Sequence, residues 1–192
     1  QPFSAMSSRL AFAQKHLNPG IGRIFDVVWK SASGSWVTLD DDRRILDFAS
    51  GIGVTNLGHV HPKVTKAVQD QAANVVHAQY SLGFHKPMLD LIEKMLPIVP
   101  KDLTSFFFHN GGADAVENAI KIARRHTQKE GVVVFQGSYH GRSFGTMPLT
   151  TSKPVYRAGF GPFMPGVHVA QFPYCSQCWG SASPPASAAT GW

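Results

Sequence analysis

The spacing of apolar residues predicts short strands near the start of the chain. Residues 25–29 and 35–39 are extended in pattern and lie on either side of a Ser-Gly pair. A turn of three aspartates and two arginines follows, and residues 45–48 resume the alternation. Three short segments separated by turns predict a small meander at the edge of a domain.

Two helices are predicted next. After Pro62, apolar residues recur at helical spacing as far as Val76, and proline is well tolerated in the first turn of a helix because its missing N–H needs no partner there. Pro87 and Pro97 enclose a second segment with the same periodicity. Both helices belong to an amino-terminal segment that we place at residues 1–100.

The pattern changes from about residue 104 onward. Residues 104–108, 132–135 and 167–172 are continuous apolar runs, and a helical pattern fills the space between the first two. Strands that are apolar throughout and alternate with helices are typical of a parallel sheet covered on both faces. We therefore predict an α/β fold, with the start of a ligand-binding α/β domain at residues 101–179. The remaining residues, 180–192, are rich in Ser, Ala and Pro, and we expect them to be disordered.

Composition narrows the class of protein. The net charge is +6, from 18 Lys and Arg against 12 Asp and Glu, but the basic residues are scattered, so no nucleic-acid partner is expected. No apolar run reaches the roughly 20 residues that cross a membrane, so no membrane association is expected. Two cysteines do not form a disulfide framework, which favours an intracellular protein. We interpret Cys175 and Cys178 as two loop thiols rather than half of a zinc site.

A glycine-rich turn, Asn110-Gly111-Gly112-Ala113, lies between a predicted strand and a predicted helix. Two glycines allow close approach to a ligand, and the helix amino terminus presents free N–H groups with a partial positive charge. The turn is therefore a candidate phosphate or carboxylate site, although a tight turn without a ligand is equally compatible with the pattern. Two acidic residues in the first helical turn would repel an anion unless they point away from it.

A second group of residues follows the strand at 132–135. Tyr139 is flanked by glycines and could stack on a flat heteroaromatic ring, and Arg142 could bind a carboxylate with its planar fork. Both motifs follow strands at the same edge of the sheet, where ligands bind in open α/β folds. Taken alone, Tyr139 and His140 would more often be packing residues than ligand contacts.

A third glycine-rich stretch covers residues 50–62. Its His59 and His61 could suggest a metal, but no further ligand lies at suitable spacing, so we predict no metal site. A glycine-rich loop that leads into a helix explains the pattern better.

These three stretches, in this order, resemble the class III (ω-type) aminotransferases, from about residue 20 to residue 174. The resemblance implies a fold-type-I transferase that uses pyridoxal 5'-phosphate (PLP), here with an incomplete large domain and part of the small domain. Gly111, Gly112 and Ala113 would hold the PLP phosphate, although the family commonly has serine at the place of Gly111. Tyr139 would stack on the pyridine ring, with His140 beside it.

The same resemblance implies roles for substrate and partner. Arg142 would bind the substrate carboxylate, and Ile52 and Gly53 would line the substrate entrance, in the active site of the other subunit of a homodimer. The amino donor would be an ω-amino acid such as 4-aminobutyrate, with a 2-oxo acid as acceptor. The compartment would be the cytoplasm or the mitochondrion.

The lysine that carries PLP lies, in the family, beyond the region of resemblance. Lys121, Lys129 and Lys153 are not in its context, so we expect no catalytic residue in this chain and no activity of the chain alone. We interpret the chain as an amino-terminal fragment. Two alternatives stay open, a catalytically inactive remnant that binds an intact subunit, and an aminomutase or decarboxylase on the same scaffold.

Overall fold

A computed structural model of the protein describes residues 8–174. The chain divides into two compact units, Gln1–Leu91 and Ile92–Trp192. This division lies about ten residues before the boundary expected from the sequence, which stays a prediction. The predicted tail at 180–192 and the two cysteines lie outside the described residues.

The first unit begins with helix α1 (Ser8–His16) and a meander of β1 (Trp29–Ser33), β2 (Trp36–Leu39) and β3 (Arg44–Leu46). The strands are antiparallel and hydrogen-bonded in sequence order, which confirms the predicted meander. The prediction of a first strand at residues 25–29 is wrong. The tight turn sets Ser33 opposite Trp36, so Trp29 pairs with the last residue of β2, and residues 25–28 lie beyond its end.

Three helical segments follow in or at the end of this unit. They are a short turn α2 (Ser50–Gly53), α3 (Pro62–Ala72) and α4 (Lys86–Met95), of which the last two confirm the predicted helices. Helix α3 ends at Ala72, because the Asn74 side chain donates to the Asp70 carbonyl while the Asn74 amide donates to Gln71. Among residues 8–91, the buried apolar side chains are Val37 and Leu39 of the central strand.

The second unit contains helix α5 (Gly112–Thr127) and two strands, β4 (Val132–Phe135) and β5 (Val167–Ala170). The strands are parallel, with Val132 opposite Val167, as the continuous apolar runs predicted. The strand predicted at residues 104–108 is not formed. Within residues 8–174 only β4 and β5 pair in this unit, so that run has no neighbour with which to form a ladder.

The connection between β4 and β5 packs more tightly than the rest of the unit. Its two 3-10 turns, Met147–Leu149 and Pro154–Tyr156, follow the loop that leaves β4. Met147 and Leu149 are buried, as is Val134 of β4, and they form the small core of this unit. Because α5 leads directly into β4, the amino terminus of the helix lies beside the carboxyl end of the strand.

No helix within residues 8–174 is both long enough and apolar enough to cross a membrane.

Candidate functional site

The glycine-rich turn forms the amino terminus of α5. Gly111 is the N-cap, its backbone is extended, and no side chain caps the helix. The first intrahelical bond runs from the Ala115 amide to the Gly111 carbonyl at 3.1 Å. The preceding amides in the first turn therefore have no acceptor within the helix. A Cβ atom at Gly112 would meet nothing within 4 Å, so open space lies beside these donors.

The two acidic residues in the first turns of α5, Asp114 and Glu117, have different surroundings. Glu117 Oε1 accepts a hydrogen bond from the Gly145 amide at 3.1 Å. Asp114 stays near the turn, since its Oδ2 would lie 3.9 Å from a Cβ atom at Gly111. The carboxylate of Glu117 is thus hydrogen-bonded to the loop after β4, and its negative charge stays near the start of α5.

Buried threonines hold the loop that carries Tyr139, His140 and Arg142. Thr150 is fully buried, and its Oγ1 accepts from the His140 amide at 3.0 Å and donates to the Gly141 carbonyl at 2.7 Å. Thr151 fixes the start of the loop, because its Oγ1 accepts from the Ser138 amide at 3.0 Å. The backbone around His140 is therefore set by side chains ten residues further along.

The loop lies directly against the glycine-rich turn. A Cβ atom at Gly141 would be 2.7 Å from the Cβ of Ala113 and 2.6 Å from Oγ1 of Thr146, closer than real contacts allow. Gly141 also has a φ of +121°, a conformation that favours glycine. The structure thus brings together two motifs that are about thirty residues apart in the sequence.

Tyr139 and Arg142 meet at the ring of Tyr156. The rings of Tyr139 and Tyr156 are in edge contact, with centroids 5.5 Å apart. The Arg142 guanidinium carbon lies 5.8 Å from the centroid of the Tyr156 ring, within the range of a cation–π contact. Tyr139 remains about half exposed, so part of its ring is available for a ligand.

The stretch at residues 50–62 is built differently and belongs to the first unit. His59 Nε2 and Asp47 Oδ2 are 2.7 Å apart, and both side chains are largely buried. The bond from His59, together with the amides of Ser50 and Ala49, holds the pKa of the Asp47 carboxyl below its usual value. His59 also exchanges two backbone hydrogen bonds with Gly34, which attaches the stretch to the meander.

This pairing gives His59 a structural role in joining the stretch to Asp47. Within residues 8–174, no three side chains of metal-ligating type converge. The Nδ1 atom of His61 is buried and has no hydrogen-bond partner in the structure.

Ile52 and Gly53 occupy a turn with left-handed backbone conformations. Ile52 has a φ of 63° and Gly53 a φ of 80°, and the Ile52 side chain is 94% exposed. A β-branched residue seldom adopts a positive φ, and such conformations concentrate at functional sites. The structure therefore leaves Ile52 free to contact a ligand or another chain.

Several residues that organise the site were not predicted from the sequence. They are Asp47, Thr146, Thr150, Thr151 and Tyr156. Buried threonines resemble exposed ones in a sequence, and the pairing of Asp47 with His59 spans twelve positions, so local pattern gave no signal for them. Only the cluster of Thr residues after a glycine-rich loop could have suggested a hydrogen-bonded support.

Solved structures of transaminases have the same architecture. An (S)-enantioselective ω-transaminase from Thermomicrobium roseum superposes with a TM-score of 0.79 at 28% identity, over 92% of this chain and 42% of that one. The ornithine aminotransferase of Toxoplasma gondii superposes with a TM-score of 0.73 at 22% identity, over 85% of this chain and 39% of that one, and supports the fold alone. The expected α/β fold of the fold-type-I transferases is thereby confirmed.

The sequence defines the family within that fold. The class III aminotransferase family matches residues 18–184, so the chain belongs to the class III aminotransferases. A probable 4-aminobutyrate aminotransferase of Bacillus subtilis is 45% identical over 138 residues, 71% of this chain and 32% of the relative. The 5-aminovalerate aminotransferase of Pseudomonas putida is 39% identical over 171 residues, 88% of this chain and 39% of the relative. The chain thus spans about a third of the length of such relatives.

Proposed function

We propose that this chain supplies the cofactor-phosphate site and a substrate-carboxylate contact of a PLP-dependent ω-amino acid aminotransferase. The amino donor would be 4-aminobutyrate or a similar ω-amino acid, and the acceptor a 2-oxo acid. The observation that carries the proposal is the direct contact of the loop at Gly141 with the turn at Ala113. The curated relatives named as 4-aminobutyrate and 5-aminovalerate aminotransferases support the choice of donor.

The residues of the turn suit a phosphate group. Free amides at the start of α5 would donate to its oxygens, and the helix dipole would favour its charge. The open space beside Gly112 lets the backbone approach a ligand without a side chain intervening. Gly111, Gly112 and Ala113 are therefore the proposed phosphate-binding residues.

The loop after β4 suits the aromatic part of the cofactor. Tyr139 would stack on the pyridine ring with the half of its surface that is exposed, with His140 beside it. When bound, PLP supplies a reactive aldehyde and a ring that withdraws electrons from the substrate. The contribution of Tyr139 is to fix the plane of that ring, because the backbone on either side of it, at Ser138 and His140, is held by Thr151 and Thr150.

Arg142 would bind the carboxylate of the amino donor. Its guanidinium is exposed at the surface and rests near the Tyr156 ring, where a charged partner can reach it. A planar guanidinium can donate two parallel hydrogen bonds to a carboxylate, which fixes the orientation of the substrate as well as its affinity.

Ile52 and Gly53 are proposed to line the substrate entrance in the active site of a second subunit, which requires a homodimer. The exposure of Ile52 supports this role. The lysine that would bond to PLP is proposed to come from outside this chain. Lys121, the lysine of this chain on α5, donates instead to Asn118 Oδ1 in the same helix. The chain alone is therefore expected to bind PLP without transaminating.

The phosphate role can be tested by introducing valine at Gly112. The Cβ and methyl groups would enter the space proposed for the phosphate, so the affinity for PLP should fall at least about tenfold, a loss of ~1.4 kcal/mol. Gly83→Val is the matched control, because a Cβ atom there also meets nothing within 4 Å and the glycine has no positive φ. PLP binding is measured by equilibrium dialysis, and equal affinities in the two variants would contradict the assignment.

The donor is tested by product analysis in an enzyme that contains this segment and a PLP-binding lysine. Transamination of 4-aminobutyrate should consume a 2-oxo acid and release one new amino acid and one new oxo compound. Release of carbon dioxide, or isomerisation of a single substrate, would instead indicate a decarboxylase or an aminomutase. Arg142→Lys should raise the KM for the donor because the single ammonium cannot reproduce the bidentate contact.

A further inference from the structure

Glu117 connects helix α5 to the loop that carries Tyr139 and Arg142. Its Oε1 accepts from the Gly145 amide at 3.1 Å, although 28 residues separate the two in the sequence. The two residues are in close contact, since a Cβ atom at Gly145 would lie 2.9 Å from both Cδ and Oε1 of Glu117. The loop therefore presents bare backbone to the carboxylate at this point.

A second contact lies one helical turn earlier and has the same character. There the bare Cα of Gly141 faces Ala113, again without room for a side chain. Residues 113 and 117 are four apart, so they lie on the same face of α5. The loop thus touches one face of the helix at two points, of which only Glu117 forms a hydrogen bond that holds it there.

The position of the charge is also informative. A carboxylate within the first turns of a helix suits the helix dipole but opposes an anion bound at the helix amino terminus. Hydrogen bonds to a charged acceptor are stronger than neutral ones, so the bond from the Gly145 amide is well suited to hold this loop.

We propose that Glu117 is a positioning residue. Its hydrogen bond to the Gly145 amide holds residues 139–146 against α5, and so sets Tyr139 and Arg142 relative to the glycine-rich turn. The effect on ligands rests on the proposed function, whereas the effect on the loop does not.

The first measurement needs no ligand. In the full chain, Glu117→Ala should increase amide hydrogen exchange at Gly145 by about tenfold or more, because the protecting acceptor is lost. Glu117→Gln keeps an acceptor oxygen and should restore protection to within about threefold of the unaltered chain. Asp114→Ala also removes one negative charge near the start of α5, and it should leave amide exchange at Gly145 unchanged. Unchanged exchange at Val134, in the core, checks that each variant is folded.

The second measurement separates the loop from the turn. Glu117→Ala should weaken the binding of PLP about tenfold, because the stacking ring is no longer fixed, while inorganic phosphate should bind as well as before or better. Glu117→Gln should bind PLP at least as well as the unaltered chain, since it keeps the contact and removes a negative charge.

The outcomes distinguish the two hypotheses. If the unaltered chain binds neither PLP nor phosphate, the proposed function fails, and exchange at Gly145 still decides the role of Glu117. If Glu117→Ala and Asp114→Ala have the same exchange at Gly145, or if PLP and phosphate affinities fall together in Glu117→Ala, the positioning role is overturned.

Discussion

Two glycine-rich parts of this chain, the stretch at residues 50–62 and the loop after β4, use glycine for different reasons. In the first, the backbone turns through left-handed conformations at Gly51, Ile52 and Gly53 in succession, and the Ile52 side chain extends outward. In the loop after β4, the glycine at 141 allows two segments to touch, because any side chain there would overlap Ala113 and Thr146. The glycines at residues 51 and 53 are therefore needed for their backbone conformation, whereas Gly141 is needed mainly for its small size.

The supports of the two regions differ in the same way. The first stretch is fixed by one buried carboxylate, Asp47, which receives hydrogen bonds from two backbone amides and pairs with His59. The second is fixed by several neutral hydroxyls, such as those of Thr146 and Thr150, by the Glu117 carboxylate at Gly145 and by close packing at Gly141. We therefore expect a buried charge to dominate the stability of the first region, and side-chain volume at Gly141 to dominate that of the second.

The largest expected effect comes from adding one methyl group at the close contact. Gly141→Ala combines overlap with Ala113 and a φ that alanine avoids, and should destabilise the second unit by roughly 3 kcal/mol. Gly137→Ala is the matched control, since that glycine also has a positive φ but a Cβ atom there meets nothing within 4 Å. Its expected loss is only about 1 kcal/mol. Urea denaturation measures both.

Equal losses in the two variants would show that backbone conformation, and not contact with α5, explains the glycine at 141. A second substitution sharpens the test. Gly141→Ala combined with Ala113→Gly removes one of the two overlapping groups and should recover part of the stability, as expected for residues in direct contact.

The elements that could be predicted are those that a local pattern specifies. Helix α5, β4 and β5 follow from apolar spacing and from continuous apolar runs, and β4 was located to the residue. The errors concern pairing. The first strand was placed at residues 25–29 because its composition is strand-like, but the register of the turn decides that Trp29–Ser33 forms the ladder. A strand needs a partner, and the partner is not visible in the local sequence.

The candidate site follows the same division. Gly111, Gly112 and Tyr139 could be singled out because glycines before a helix, and an aromatic between glycines, have recognisable chemistry. Thr150 and Tyr156 could not, because each acts through contacts with residues ten or more positions away. The acidic residues near the start of α5 are visible in the sequence, whereas the hydrogen bond from the Gly145 amide to Glu117 is not, because 28 residues separate the two.

An effect of intermediate size is expected when the pH is lowered, and it concerns the stability of the first unit. The pKa of Asp47 is lowered in the folded protein, chiefly by the hydrogen bond from His59, so the ionised carboxylate stabilises the fold. This contribution is complete above the ordinary value of 3.8 and is lost as the pH falls through the lower folded pKa. Unfolding free energy measured against pH should therefore decline below about pH 4.

Asp47→Asn tests the origin of that decline. The asparagine has no charge to lose, so its stability should be lower near neutral pH and should change less between about pH 4 and pH 2. Curves that stay parallel over this range would assign the acid sensitivity to other carboxylates. In the second unit, Thr150 is held by neutral hydrogen bonds, so amide exchange at Thr150 should show little of this effect.

The smallest effect is expected at Ile52, and it should be a gain. Asparagine tolerates the left-handed conformation that isoleucine avoids, so Ile52→Asn should stabilise the first unit by about 1 kcal/mol. Val54→Asn makes a similar exchange of apolar for polar at a site that is 74% exposed and has a negative φ, and should change stability by less than about 0.5 kcal/mol. Urea denaturation compares the two variants. A gain confined to Ile52→Asn would mean that isoleucine at this position lowers the stability of its own loop. That result would support a role for Ile52 in contact with substrate. A loss would show that this side chain is needed for folding, and would remove the argument for a role in contact with substrate.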